Sequence, residues 1–383
     1  MKPKILLLAM CTGASLVFLG CATKCTKCSM RAPPRTADSF FPSPPDSLPF
    51  HPFRTNVYTA GELLAECATN FDTNAADRVY RSTLDWQCYT NAMDQGSHRK
   101  RTDLSEMTLR YLRLHDLAIE EALDKYLKPD RNHPAGWKGV VGIMGGHELP
   151  RQEKLTNNAD APYMQVALMA QRLASNRFTI ATAGGPGAME AGNLGAWFAN
   201  RSEGQLRQAV RILTNVSALS TNTTTGEWLV PAFKVIHEFP RTNDDPRTES
   251  VGVPTWFYGH EPPNPFATHI AKYFENSLRE EHVLAISTRG VIFAPGSAGT
   301  VQEIFQDACQ NYYTNYTARR FSMVLFDADY WNPGTNSMVT SNGVPIPVWP
   351  ALQTIAKGKF DNLLMVTNDI NAIVEFIIAK SRP

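Results

Sequence analysis

The fold is decided by Phe178-Thr179-Ile180-Ala181-Thr182-Ala183, an apolar run that passes directly into Gly184-Gly185-Pro186-Gly187-Ala188-Met189-Glu190. The first part reads as a strand buried on both faces. The glycines that follow let the backbone turn tightly, and the residues after them open a helix. Working outward, the same grammar recurs. Gly139 to Met144 is an unbroken apolar run ending in Gly145-Gly146, and Tyr163, Val166, Ala167, Ala170 and Leu173 follow at helical spacing. Phe233 to Phe239 is a further strand candidate, Thr268 to Ile286 reads as one long helix, Gly290 to Ala294 as a strand and Val301 to Tyr312 as a helix. Met323 to Phe326 and Leu363 to Val366 are later strands, and Ile370 to Ile378 is a closing helix. Strands alternating with helices predict an α/β fold, a parallel sheet with helices on both faces. No internal repeat is apparent.

Upstream, Val57 to Tyr126 turns helical, with Leu109, Leu112, Leu117, Ile119 and Leu123 at mixed helical spacings. It reads as an accessory extension without visible chemistry. Before it, Pro33-Pro34 and Pro42-Ser43-Pro44-Pro45 mark a semi-extended linker. At the start, Met1-Lys2-Pro3-Lys4 is a basic region and Ile5 to Leu19 is largely apolar. That run is short of the roughly 20 residues a membrane span needs, but it suits a signal peptide. Val17-Phe18-Leu19-Gly20-Cys21 resembles a bacterial lipoprotein signal with Cys21 lipidated, Phe18 standing where an aliphatic is usual. The expected domains are a signal peptide over 1–21, a Pro-rich linker over 22–55, the helical region over 56–135 and a Rossmann-like domain over 136–383. The expected location is a membrane, periplasmic or outer surface, reached by the lipid anchor alone; the alternatives are a plain secretory signal or an uncleaved start on a cytoplasmic protein.

The 383 residues carry 37 basic and 36 acidic side chains, a formal net charge of +1. Such a balance supplies no field to gather polyanions, which speaks against nucleic acid as a partner. Cys25-x-x-Cys28 has metal-ligand or redox spacing, yet no second Cys or His pair stands nearby to complete four ligands, and it sits in what reads as a tether. Cys67, Cys88 and Cys309 read as ordinary buried or half-buried residues.

Ligands of parallel sheets bind outside the carboxyl ends of the strands. Two turns there are built for that use, Gly184-Gly185-Pro186-Gly187 and Pro295-Gly296-Ser297-Ala298-Gly299-Thr300. Both lack bulky side chains where N–H groups can approach a phosphate, and each opens a helix whose first turn carries partial positive charge. Thr300 adds a hydroxyl. Neither turn matches the dinucleotide fingerprint or a Walker A loop, which argues against NAD and ATPase chemistry.

Here the chain resembles a known family. Gly184 to Ala191 looks like the GGGxGxM(x)A segment of the LONELY GUY (LOG) family, and Pro295 to Glu303 is similar to its PGGxGTxxE signature. One departure is Ser297, in place of the second Gly of PGG; a small Ser fits that turn where φ stays negative. The resemblance covers roughly Gly136 to the C-terminus. It implies a Rossmann-like fold, a homodimer, no cofactor or metal, and a phosphoribohydrolase that cuts the base from a nucleoside 5′-monophosphate such as AMP. It places Gly184, Gly185, Gly187, Met189, Gly296, Ser297, Gly299 and Thr300 around the nucleotide. Glu303 is then the catalytic carboxylate and Arg279 its companion, with Arg289 the nearby alternative for that arginine. Taken alone, Glu303 is an acid near a helix N-terminus, worth about 0.3–1 kcal/mol against the helix dipole. In an N-glycosidase it can stabilise positive charge on ribose or activate water, and Arg279 can hold the phosphate or orient the carboxylate.

Trp256 and Tyr258 are candidates to stack on the base. Gly145-Gly146-His147 is placed to border the nucleotide, and His260 and His269 are further acid–base candidates. The competing expectation is a nucleotide or phosphosugar sensor of the same fold without turnover, which Ser297 and the exported leader favour. Amino-acid decarboxylation is set aside, since nothing resembles a pyridoxal-binding lysine context.

Overall fold

The computed structural model describes residues 48–92, 104–128, 133, 136–220, 222–242, 245–257, 261–313, 320–334 and 344–381. Cys21, Cys25 and Cys28, and the loop residues Tyr258 and His260, lie outside them. Four helices precede the sheet: α1 (Ala60–Leu63), α2 (Ala76–Tyr80), α3 (Leu84–Ala92) and α4 (Glu106–Tyr126). Then come β1 (Val140–Met144), α5 (Pro162–Ser175), β2 (Thr179–Thr182), α6 (Ala188–Trp197), α7 (Glu203–Leu213) and α8 (Thr225–Glu238). They are followed by β3 (Ser250–Gly252), β4 (His269–Ile270), α9 (Asn276–Ala285), β5 (Val291–Phe293) and α10 (Ala298–Tyr313). The chain closes with β6 (Met323–Phe326), α11 (Ala328–Trp331), α12 (Trp349–Ala356), β7 (Leu364–Thr367) and α13 (Ile370–Lys380).

The strands form one parallel sheet in the order β4-β3-β2-β1-β5-β6-β7. This is the expected Rossmann-like α/β architecture with an N-terminal helical extension. Successive side chains of a strand point to opposite faces, and the core divides accordingly. Val140, Met144, Val291, Phe293, Met323 and Leu325 join one apolar cluster with α4, α9, α10 and α12. Val141, Ile143, Ile292, Val324 and Phe326 join a second with α5, α6, α7 and α13. Among the described residues, no helix is long and apolar enough to cross a membrane.

Two expected elements differ. Phe233 to Phe239 is not a strand; most of it is the end of α8, whose start is set by a reciprocal capping box between Thr224 and Glu227. A short apolar run fits a buried strand or a buried helix equally by periodicity, and the cap decides it. Thr268 to Ile286 is not one helix. His269 and Ile270 pair with Val251 and Gly252 of β3, and Ile270 exchanges hydrogen bonds with Tyr58 (2.8 Å each way), so sheet pairing holds this segment extended until α9 begins. β3 and β4, three and two residues long, have too little pattern of their own to be seen in advance.

The helical extension and the sheet belong to one compact unit, Pro44–Pro383. The sheet itself begins at Val140. The extension also reaches toward the site. The buried Asp116 of α4 accepts hydrogen bonds from the N–H groups of Phe274 (2.7 Å) and Glu275 (2.9 Å), and Arg113 pairs with Glu275 at 2.8 Å. These contacts fasten the start of α9, the helix that carries Arg279.

Candidate functional site

Because every strand is parallel, all the carboxyl ends lie along one edge of the sheet. The chain winds outward from β1 to β4, then returns to β5 on the other side of β1. The crevice between the loops after β1 and β5 is the point where winding reverses, the usual place for a ligand in such sheets. The two glycine-rich turns do not follow adjacent strands, since β1 and its loop Gly145-Gly146-His147 stand between them. That loop is stitched to both. The Gly146 N–H donates to the carbonyl of Pro295 (2.9 Å), and the Ala188 N–H donates to the carbonyl of Gly146 (3.1 Å).

The two turns do different work. In the first, the Gly184 N–H donates to Thr182 Oγ1 (3.0 Å) and the Gly185 N–H to Met189 Sδ (3.4 Å). The carbonyls of Gly184 and Gly185 accept from Asn264. Most of its polar groups are thus engaged within the fold. Gly187 has φ +68°, and a Cβ there would stand 2.3 Å from the Gly146 carbonyl oxygen. Glycine is needed for the close approach of the β1 loop, and Gly187 is buried away from the cavity. The second turn faces open space. The N–H groups of Ala298, Gly299 and Thr300 form the first turn of α10 and have no partner within the helix, and that turn contains no acid. Ser297 is not among the residues with positive φ, so the serine sits in this bend without strain. A Cβ on Gly299 would meet nothing within 4 Å.

These positions predict opposite behaviour for the same substitution. Gly187→Ala is expected to lower stability by about 1–3 kcal/mol from backbone strain, before the clash with Gly146 is added. Gly299→Ala is expected to leave stability unchanged or raise it by up to about 1 kcal/mol, since alanine favours helix and its methyl group meets nothing within 4 Å. Urea unfolding of the two variants checks the pair.

Between the loops lies a cavity of about 90 Å³ bordered by Gly145, Gly146, His147, Met189, Glu261, Arg279, Glu280, Ser297, Gly299, Thr300 and Glu303. Thr300 is 5% exposed, Arg279 5% and Glu303 7%, so the charged groups face the cavity with little access to bulk water. Arg279 Nη1 lies 3.4 Å from Glu303 Oε1, while Nη2 and Nε donate to Asn276 Oδ1 at 2.6 and 3.2 Å. Burial pushes the Glu303 carboxyl up to about 7; Arg279 opposes the shift, and Glu280 and Glu261 add to it. A carboxyl near neutrality can accept or give a proton at physiological pH. Arg289, the alternative partner, sits at the opposite end of β5, its N–H donating to the Val140 carbonyl (2.8 Å).

A second cavity of about 210 Å³ shares Gly146, His147 and Ser297 with the first and is walled by Leu149, Pro150, Pro295, Gly296 and Tyr330. Tyr330 donates its hydroxyl to the Gly296 carbonyl at 2.8 Å, bracing the second turn. Glu261 and Tyr330 carry no motif, and nothing in the sequence singles them out.

Trp256 is not available to a base. It is 1% exposed, stacks on Phe274 (4.5 Å between centroids) and donates Nε1 to Asp85 at 2.9 Å. An aromatic-rich loop reads the same whether its rings pack inward or face a ligand, and here the core claims Trp256. Tyr258 lies outside the described residues. His269 stacks on Tyr126 at 3.9 Å and lines neither cavity; burial lowers it to about 4. Of the cysteines, Cys309 is exposed, not buried. On α10, Asp307 is also buried, its Oδ2 has no hydrogen-bond partner among the described residues, and burial pushes it up to about 8.

No family model matches the chain, and no curated protein does. Among solved structures, the molybdenum cofactor carrier protein of Chlamydomonas reinhardtii aligns with 63% of this chain and 98% of its own, at 12% identity and a TM-score of 0.33. A likeness of that size assigns no activity.

Proposed function

We propose that this protein hydrolyses the N-glycosidic bond of a nucleoside 5′-monophosphate, releasing free base and ribose 5-phosphate, as LOG-family enzymes do. The observation that carries the reading is the buried Arg279–Glu303 pair in one cavity with the open first turn of α10. A phosphate suits the unpaired N–H groups of Ala298 to Thr300, where the helix dipole favours an anion. Glu303 then serves as the base. Water oxygen bonds to C1′ of ribose and gives a proton to Glu303. The electron pair of the C1′–N bond leaves with the base, whose nitrogen is protonated from solvent. Arg279 keeps the Glu303 carboxylate oriented and holds its pKa below the value burial alone would set. No metal-ligating cluster is present among the described residues, and the pathway proposed here calls on none.

The test is incubation of the purified chain with AMP, GMP, CMP and UMP, followed by chromatography for free base and ribose 5-phosphate. Release from at least one of the four is expected. Tight AMP binding with no release from any would instead leave a nucleotide sensor. We further propose a homodimer anchored to a membrane by acylated Cys21. A monomer in light scattering would remove the first, and a soluble product still beginning at Met1 the second.

A further inference from the structure

The loop between β3 and β4 brings another acid, Glu261, to the cavity that holds Glu303. Two ties fix it there. Lys272, 1% exposed, donates Nζ to the Glu261 carbonyl (3.2 Å) and pairs with the buried Asp85 of α3 at 2.6 Å. Three residues further on, Asn264 donates its N–H to the Gly184 carbonyl (2.8 Å) and Nδ2 to the Gly185 carbonyl (3.1 Å). The backbone from 261 to 264 is thereby fastened over the end of β2. Its carboxylate comes so close to Gly185 that a Cβ there would lie 3.3 Å from Glu261 Oε2.

The charged and titratable groups facing this space are His147 from the β1 loop, Arg279 and Glu280 from α9, and Glu303 from α10. Glu280 is occupied, accepting from Asn276 Nδ2 (2.7 Å) and Gln302 Nε2 (2.6 Å). Arg279 is shared between Asn276 and Glu303. Among the described residues, no cation stands within ion-pair distance of Glu261. It is the half-buried carboxylate left unengaged beside a fully buried one. Paired carboxylates in unlike environments divide the work of glycoside cleavage, one moving the proton and the other facing the developing charge.

We propose that Glu261 is the second carboxylate of the reaction, an anion that faces ribose and stabilises the positive charge arising as the C1′–N bond opens, while Glu303 takes the proton of the attacking water. The assignment rests on the hydrolase reading above. It makes the β3–β4 loop, and through Lys272 and Asp85 the helical extension, part of the catalytic framework.

The experiment compares full-length wild type, Glu261→Gln and Glu261→Asp with AMP as substrate from pH 5 to 9, resolving kcat from KM. Glu261→Gln is expected to lower kcat by about 10²–10³, the scale on which removing one preorganised electrostatic group acts, with KM within about threefold. Its acid limb in kcat/KM moves to lower pH, because removing an anion beside Glu303 makes that carboxyl easier to ionise. Glu261→Asp keeps the charge and recovers part of kcat. A kcat equal to wild type, an unmoved limb, or a loss confined to KM overturns the proposal. Wild type that releases no base from any nucleotide overturns the hydrolase reading and this assignment together. Wild-type activity left undiminished in Glu261→Gln removes Glu261 alone.

Discussion

Glu303→Gln is expected to reduce base release by about 10²–10⁴, the range for loss of a general acid or base, while AMP still binds. Glutamine keeps the shape of the side chain and removes its capacity to take a proton. Asn276 and Glu280 remain beside Arg279, so the cavity keeps its form. On the proposed hydrolase reading, a carboxyl pushed up to about 7 is expected to give wild-type kcat/KM an acid limb centred there, activity rising as the base ionises. In Glu303→Gln that limb is absent from the residual rate. Arg279→Gln shifts the wild-type limb to higher pH, because Arg279 opposes the burial that raises Glu303.

The same shift makes a separate claim about stability. Glu303 binds its proton more tightly in the folded state than its ordinary value of 4.5 allows in the unfolded chain. The stability this supplies is present in full below pH 4.5 and is lost as pH rises through about 7. Glu303→Gln removes that dependence, so at pH 8 the variant is expected to be at least as stable as wild type. Activity lost together with stability at pH 8 would point to damage in the fold instead of loss of the base. Thermal unfolding at pH 5 and pH 8 separates the two.

The largest effect on stability is expected from Arg151→Met. Arg151 is 2% exposed and forks onto Glu190 at 2.8 and 2.5 Å. It also donates to the carbonyls of Val216 (3.1 Å) and Trp228 (2.9 Å) and lies 4.7 Å from the Trp228 ring. Tyr163 donates its hydroxyl to Glu190 at 2.9 Å. Methionine preserves much of the volume but leaves Glu190 as a buried anion without its cation, a change that costs about 3–5 kcal/mol. The double replacement Arg151→Met with Glu190→Met is expected to recover much of the loss, since an apolar pair of similar volume can match a buried ion pair. The readout is the urea midpoint of the single and double variants, with an unchanged slope showing that the same surface is exposed. Glu190 lies in the first turn of α6, directly after the first glycine-rich bend, so this pair also braces one wall of the site.

Several features are legible in the chain itself because their causes are local. β1, β2, β5, β6 and β7 announce themselves as apolar runs, each bounded by turn residues. Gly184 to Gly187 and Pro295 to Thr300 mark bends because only small residues permit them. Arg279 and Glu303 were legible through the resemblance of the surrounding motifs, since 24 positions separate them and no periodicity links them. Glu190 could be read only as an acid at a helix start; its partner lies 39 positions upstream. Trp256 showed its chemistry but not its direction.

The residues by themselves set most of the alternation of strands and helices and the positions of the bends; the resemblance added the acid Glu303 and two candidate arginines, Arg279 and Arg289. That β1 lies between the two glycine-rich turns, that Trp256 turns into the core, and that Glu261 and Tyr330 reach the crevice are properties of the assembled fold. Bends and periodicity arise from neighbours along the chain, so they are written there. Strand order, burial and the meeting of distant charges follow from which surfaces are removed from water together, and that is settled only when the whole sheet assembles.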